Sequence, residues 1–365
     1  DDVTYLNCAY MAPQLKAVTA AGVEAVGRKT LPWTITAADF FAPVEEIRGL
    51  VAALIGGDAD GVALAPSAAY GITLAAENLP VGTGQRIVVL AEQFPSNVYP
   101  WTDLAARTGA EVVTVARPSD GDWTPAVLAA IDERTAVAAL PHCHWTDGSK
   151  VDLGRVSAAV RQVGAALVVD ASQSLGAVPF DVAEIRPDFL IAVAYKWLLG
   201  PYSLAYLWAA PDRRSGRPLE FGWSARAGSE DFARLVDYRD DYRPGARRYD
   251  VGETSDFVLL PMAAAALRQI LDWGVERIAA ATGALTSQIT ADAEALGLQA
   301  APERLRGPHL LGVRLPSGAA AEVADRLRAA QVHVSVRGDS IRISPHLYND
   351  LDDVGKLRDV LASAG

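Results

Sequence analysis

The sequence predicts an α/β fold in which a large domain with a mainly parallel sheet is followed by a small C-terminal α+β domain. Three observations carry this. Short apolar runs alternate with helical patterns from residue 44 to about residue 209. Those runs are almost continuously apolar, as strands covered on both faces are. After residue 256 the pattern changes to long helix and then short strands.

Each element has its own signal. VEEIRGLVAALIG (44–56) places apolar residues at helical spacing and ends on Gly56-Gly57, a stop. RIVVLAE (86–92) reads as a buried strand, LAARTGA as a helix end and EVVTVAR (111–117) as the next strand. AVLAAIDER is a helix, TAVAALPH (135–142) a strand, VSAAVRQVG a helix and AALVVDAS (165–172) a strand. DFLIAVAYK (188–196) and SLAYLWA (203–209) complete the set. FVLLPMAAAALRQILDWGVERIAAATGALTSQITADAEAL reads as long helix with breaks near Gly274 and Gly283. LLGVRLP, VHVSV and SIRISP are strands, and AAEVADRLRAAQ and LDDVGKLRDVLASA are helices. The expected organisation is an N-terminal segment (1–15) packed near the second domain, a large domain (16–256) and a small domain (257–365).

The chain has 365 residues, 50% of them hydrophobic and 21% charged, which suits a large buried core and excludes disorder. The net charge of −11, without a dense Lys/Arg cluster, argues against nucleic acid or an anionic membrane surface as a partner. No apolar run reaches the length of a transmembrane helix. DDVTYLN has neither a basic nor an apolar leader region, so no secretory signal is expected in these residues. Two cysteines, Cys8 and Cys143, cannot form a disulfide framework, and a cytoplasmic location is the expectation.

Functional groups of parallel α/β sheets gather at C-terminal strand ends. Asp170, Lys196, Gln93, Phe94, His142, His144 and Ser67 all fall there. Of the five lysines, Lys196 alone sits in an apolar setting. Burial lowers a lysine pKa, which suits Schiff-base chemistry, although the same pattern fits a packed stem with its head in solvent. Asp170 follows four apolar residues and needs a partner: a helix N-cap role or a cationic ring nitrogen would each supply one. PSAAYG (66–71) opens a helical pattern, which fits phosphate binding at free backbone N–H groups or an ordinary serine cap.

DASQSLGAVPFDV followed by DFLIAVAYKWLLGP resembles the signature of the class V aminotransferase family, fold-type I enzymes that use pyridoxal 5'-phosphate. YLNCAYMAP, PSAAYGI, EQFPSNVYPW, HWTDGSKVDL, YDVGETS and IRISPHLYND extend the resemblance, in order, over nearly the whole chain. The family includes kynureninase, isopenicillin-N-epimerase-like proteins and cysteine desulfurases. The resemblance implies a seven-stranded type of sheet and the following roles. Lys196 would be the catalytic Schiff-base lysine and would move the Cα proton. Asp170 would pair with the pyridine nitrogen, Phe94 would stack on the ring, and Ser67, Ala68 and Ala69 would cradle the phosphate. Gln173 would contact the phenolic oxygen or the phosphate region, and Tyr195 the phosphate. Thr254 would reach the phosphate of a neighbouring subunit, which implies a homodimer. Arg342 would hold the substrate α-carboxylate, its planar fork suiting a bidentate contact.

Two departures bear on the reaction. Trp145 stands where desulfurase-like members carry Asn, and no cysteine follows residue 143, so a persulfide-forming desulfurase is not expected. The leading expectation is an aminotransferase acting on a small amino substrate. A β-lyase cleaving C–S or C–C bonds and an epimerase are the alternatives, and a non-catalytic scaffold is the minority reading. No G-x-G-x-x-G follows a strand, which argues against a nicotinamide dehydrogenase. The HCH triplet (142–144) lacks further ligands at metal spacing, so no metal is expected; His142 or His144 is instead a candidate to line the cofactor pocket, with His144 taken for the substrate. Tyr10, Trp33 and Trp223 could line that pocket or pack at an interface. The arginines of RPGARRYD (243–250) could meet an anionic substrate group or lie in a solvated loop.

Overall fold

The computed structural model describes residues 3–362. Its centre is a seven-stranded sheet in the order Val62–Ala65, Ala205–Ala209, Phe189–Val193, Ala166–Asp170, Thr135–Pro141, Arg86–Leu90, Glu111–Val115. Every neighbouring pair is parallel except those made by Ala205–Ala209, which runs against both of its neighbours. That exception has a local cause. Residues 194–204 contain no helix, and a parallel return needs a crossover of about a dozen residues or more, usually through a helix. The chain therefore folds straight back and leaves a loop at the C-terminal end of Phe189–Val193, with Lys196 in it.

The sheet strands are buried on both faces, and two apolar clusters flank them. Helix Leu259–Trp273, which begins just after the expected boundary near residue 257, places Leu260, Ala263, Leu267 and Ile270 in one of these large-sheet clusters. The helical run breaks at Gly274, whose φ is +77°; Gly283 lies inside Val275–Ala295 and does not interrupt it, because its conformation is helical. The second half of that helix contributes Ile289 and Ala293 to a separate cluster under a small antiparallel sheet. The order there is Ser335–Arg337, Ser340–Ile343, Leu311–Arg314, Gln299–Ala300.

The N-terminal segment laces the two sheets together. Thr4–Tyr5 pairs in parallel with Val332–His333, and Asn7 bridges to Ser344. The Ala9 amide donates to Ser344 Oγ at 3.0 Å, while the Ala12 amide donates to the Tyr195 carbonyl at 3.1 Å.

Candidate active site

The C-terminal ends of the parallel strands open into a cavity of about 220 Å³. Five of the strands deliver parts of its wall. Val62–Ala65 leads into Pro66 and Ser67, Arg86–Leu90 into Gln93 and Phe94, and Thr135–Pro141 into Cys143 and Trp145. Ala166–Asp170 ends on the carboxylate itself, and Phe189–Val193 leads into Tyr195 and Lys196.

Lys196 is 7% exposed. Burial pushes its pKa down to about 8; nearby Asp170 opposes the shift, and Arg342 and Arg337 add to it. Its Nζ lies 5.3 Å from the Phe94 ring centre and 5.7 Å from that of Tyr195. The loop that carries it holds two non-glycine residues in the left-handed region, Leu199 (φ +52°) and Ser203 (φ +65°). Such backbone costs energy and is held only where the surroundings over-determine it. Here the Ala194 amide bonds the Leu204 carbonyl and the Leu199 amide bonds the Lys196 carbonyl.

Asp170 is 7% exposed, and its Oδ1 accepts from the Ser172 amide at 2.9 Å. Ser67 caps helix Ala68–Asn78, its Oγ accepting from the Tyr70 amide at 3.1 Å. The helix start thus faces the cavity with backbone N–H groups of its first turn, the usual setting for an anion. The Ser172 hydroxyl is buried on the cavity wall without a partner. Together these suit pyridoxal phosphate: a carboxylate for the ring nitrogen, an amine for the aldehyde carbon, an aromatic ring for stacking and N–H groups for the phosphate.

Ser67, Ala68, Ala69, Phe94, Asp170, Gln173, Tyr195 and Lys196 all line this cavity. The amide of Gln173 is, however, committed to protein: Nε2 donates to the Ala9 carbonyl at 3.1 Å and Oε1 accepts from Trp197 Nε1 at 2.9 Å. Tyr195 packs against Tyr202 at 4.5 Å, and burial raises its pKa to about 12. Arg342 is not itself on the cavity wall: it is 1% exposed and donates to the carbonyl of Trp145, which is on the wall, at 2.9 Å and to Ser335 Oγ at 3.4 Å, with Nε free of any partner.

Other candidates lie elsewhere. His144 is not on the cavity wall: Nε2 donates to the Ala91 carbonyl at 3.1 Å, Nδ1 meets Thr146 Oγ1 at 2.7 Å, and the ring stacks on Trp123. Both ring nitrogens are used by the protein, and burial lowers its pKa, so it orders the 144–149 loop rather than meeting a ligand. His142 packs edge-on to Phe180, and burial pushes it down to about 4. Thr254 is buried outside the cavity, its hydroxyl donating to the Val251 carbonyl. Tyr10 is 58% exposed and does not line the cavity. Trp223 packs among Phe40, Phe41 and Phe232, and Trp33 is exposed. In the 243–250 loop, Arg243 and Arg247 are tied to Glu45, and Arg248 bonds the Ser215 carbonyl.

Sequence reasoning missed several members. Cys143, Ser172 and Tyr202 are on the wall. Arg337 sits over the Trp145 indole at 4.9 Å and depresses Lys196 through its charge. Trp145 itself donates to the Glu92 carbonyl at 2.6 Å and packs edge-on to Phe94 at 5.4 Å, so it joins the stacking ring to the arginines.

Comparison with known proteins agrees with this geometry. The sequence model of the Aminotransferase class-V family matches residues 33–357. An uncharacterized aminotransferase, YcbU, of Bacillus subtilis is 28% identical over 87% of this chain and 83% of its own length. Isopenicillin N epimerase of Streptomyces clavuligerus is 27% identical with the same coverage. A kynureninase of Burkholderia mallei is 28% identical over 79% of this chain and 70% of its own. Among solved structures, the cystine C–S lyase C-DES superposes with a TM-score of 0.89 over 99% of this chain and 97% of its own, at 18% identity. The cysteine desulfurase of Thermococcus onnurineus gives 0.86 over 99% and 94%, at 20% identity. The strand-end cavity, its buried lysine and carboxylate and the family match over most of the sequence lead to one conclusion: this chain belongs to the class V aminotransferase family of pyridoxal-phosphate enzymes.

Proposed function

We propose that the enzyme transfers the amino group of an α-amino acid, with Lys196 as the base at Cα. The observation that carries this reading is the buried Lys196 amine, brought down to about 8 and set beside Asp170 and Phe94. Burial thus raises the neutral fraction of this amine near physiological pH far above that of an ordinary lysine, although the protonated form still predominates, and the neutral form is the one that acts as nucleophile and base. Pyridoxal phosphate, when bound, supplies the electron sink that acidifies the Cα proton. Asp170 would hold its ring nitrogen, the start of helix Ala68–Asn78 would take its phosphate, and Phe94 would cover its ring. Arg342 orients the substrate through its α-carboxylate, and Lys196 takes the Cα proton and returns it.

A persulfide route is disfavoured by the two cysteines. Both are buried, and burial raises both thiols, Cys143 to about 12. A homodimer fits the exposed aromatic side chains of Trp33 (77%) and Tyr202 (61%), the latter on the cavity wall. The unpaired cysteines support a cytoplasmic location. No described helix is long and apolar enough to cross a membrane.

The test is the cofactor absorbance of the holoenzyme during incubation with single amino acids. Transamination converts the band to that of the aminated cofactor without added keto acid. A persistent band with accumulating keto acid and ammonia would make the enzyme a β-lyase. Solvent deuterium entering Cα with neither change would make it an epimerase.

A further inference from the structure

The hairpin of the small domain carries two arginines, and their register puts them on one face. Ser335 lies opposite Arg342, and Arg337 opposite Ser340. Side chains alternate along a strand, so Ser335, Arg337, Ser340 and Arg342 share a face. Val336, Ile341 and Ile343 point the other way, into the small-domain cluster. Arg337 and Arg342 are thus diagonal neighbours, about 7–8 Å apart at the backbone. Both lean on Trp145, one on its ring and one on its carbonyl, and both charges act on Lys196.

Neither has a counter-charge. Among the described residues no carboxylate pairs with Arg337 or Arg342, and the Nε of each is buried without a partner. Other withdrawn arginines of this chain are satisfied: Arg48 pairs with Asp250, Arg247 with Glu45, and Arg306 bonds Thr286, Thr290 and the Gly307 carbonyl. One unpaired guanidinium is what an α-carboxylate needs. The second, that of the half-buried Arg337, is surplus to it and also has no anion.

We propose that Arg337 is a specificity-determining residue and that the substrate is a dicarboxylic α-amino acid, Arg342 taking its α-carboxylate and Arg337 its side-chain carboxylate. The assignment rests on the amino-acid reading above and adds the side chain to it. The Trp145 ring under it and the Nη1 bond to the Val336 carbonyl at 2.6 Å hold the Arg337 guanidinium, and the side carrying its unpartnered Nε is the edge for a bidentate contact.

The test uses the cofactor-loaded enzyme with two readouts. Calorimetry compares glutarate and succinate with butyrate, none of which can react. Steady-state kinetics compares glutamate and aspartate with glutamine and asparagine. Wild type should bind the dicarboxylates about tenfold or more tightly than butyrate, as expected for one charged hydrogen-bonded contact. Arg337→Gln should collapse that ratio and raise KM for the acidic amino acid about tenfold while changing kcat little. Arg337→Lys should restore part of the preference. Equal binding of butyrate and glutarate by wild type, or an equal loss for acidic and amide substrates in R337Q, overturns the inference and leaves the amino-acid reading standing. A holoenzyme that no amino acid perturbs overturns both.

Discussion

Arg48 and Arg342 are both withdrawn from water, at 0% and 1% exposure, yet the regions around them differ in kind. Arg48 lies beneath the edge of the large sheet. It bonds the Val62 carbonyl and Asp250, and Asp250 in turn accepts from the Leu64 amide at 2.9 Å. Folding alone neutralises that cation. Arg342 lies on the small-domain hairpin against Trp145, which lines the cavity, and has a carbonyl and a weak hydroxyl contact and no anion. Burial pushes its pKa down to about 9, with Arg337 adding to the shift. A buried charge that the fold completes holds structure together; one that the fold leaves incomplete waits for a ligand.

Four substitutions or titrations break or sharpen that contrast. Lys196→Ala should lower kcat by about 10³-fold or more, as loss of a positioned base does. Its urea midpoint should hold or rise, because a buried amine without a salt bridge is removed; a marked fall would make Lys196 structural. Arg48→Met should cost about 3–5 kcal/mol in urea denaturation, since Asp250 is left buried and unpaired. Arg342→Met should cost about 1 kcal/mol or less by the same measure, because it releases only the Trp145 carbonyl and the Ser335 hydroxyl and orphans no buried charge. Its KM for amino acid should rise about tenfold or more. Equal destabilisation by the two arginine variants would erase the distinction between the regions.

The smallest effect is a pH dependence of the cofactor-free protein. Folded Lys196 loses its proton near pH 8, whereas an unfolded lysine holds its proton to about 10.5. Between those values the unfolded chain binds more protons, so stability rises with pH across that window. A Lys196→Met protein should lack that increment when thermal midpoints are compared from pH 7 to 10.

The large sheet was legible because its strands are covered on both faces and so read as unbroken apolar runs. Lys196 and Asp170 were legible because a charge at the end of such a run is conspicuous. Arg337 was not. In VHVSVRGDSIRIS it reads as one more hairpin arginine, and only the antiparallel pairing of Arg337 with Ser340 brings it to the Arg342 face. The alternation of Ser335, Arg337, Ser340 and Arg342 about a Gly-Asp turn was the available signal. His144 was misplaced for the converse reason: its position next to a strand end is local, but the Ala91 carbonyl that holds it is 53 residues away. The commitment of Gln173 to Ala9 and Trp197 is equally invisible in sequence.

The lacing of the N-terminal segment has one further consequence. The Ser344 hydroxyl, two residues beyond Arg342, holds the Ala9 amide, and the Tyr195 carbonyl, one residue before Lys196, holds the Ala12 amide. Only three peptide units separate those anchor points. On the roles proposed for Arg342 and Lys196, the span between the grip on the carboxylate and the reacting amine is gauged by a ruler of three peptide units, cut from the same chain. A substrate is measured against that ruler from its carboxylate to its Cα, so one residue inserted between Ala9 and Ala12 should mis-set the gauge while leaving every wall of the cavity in place.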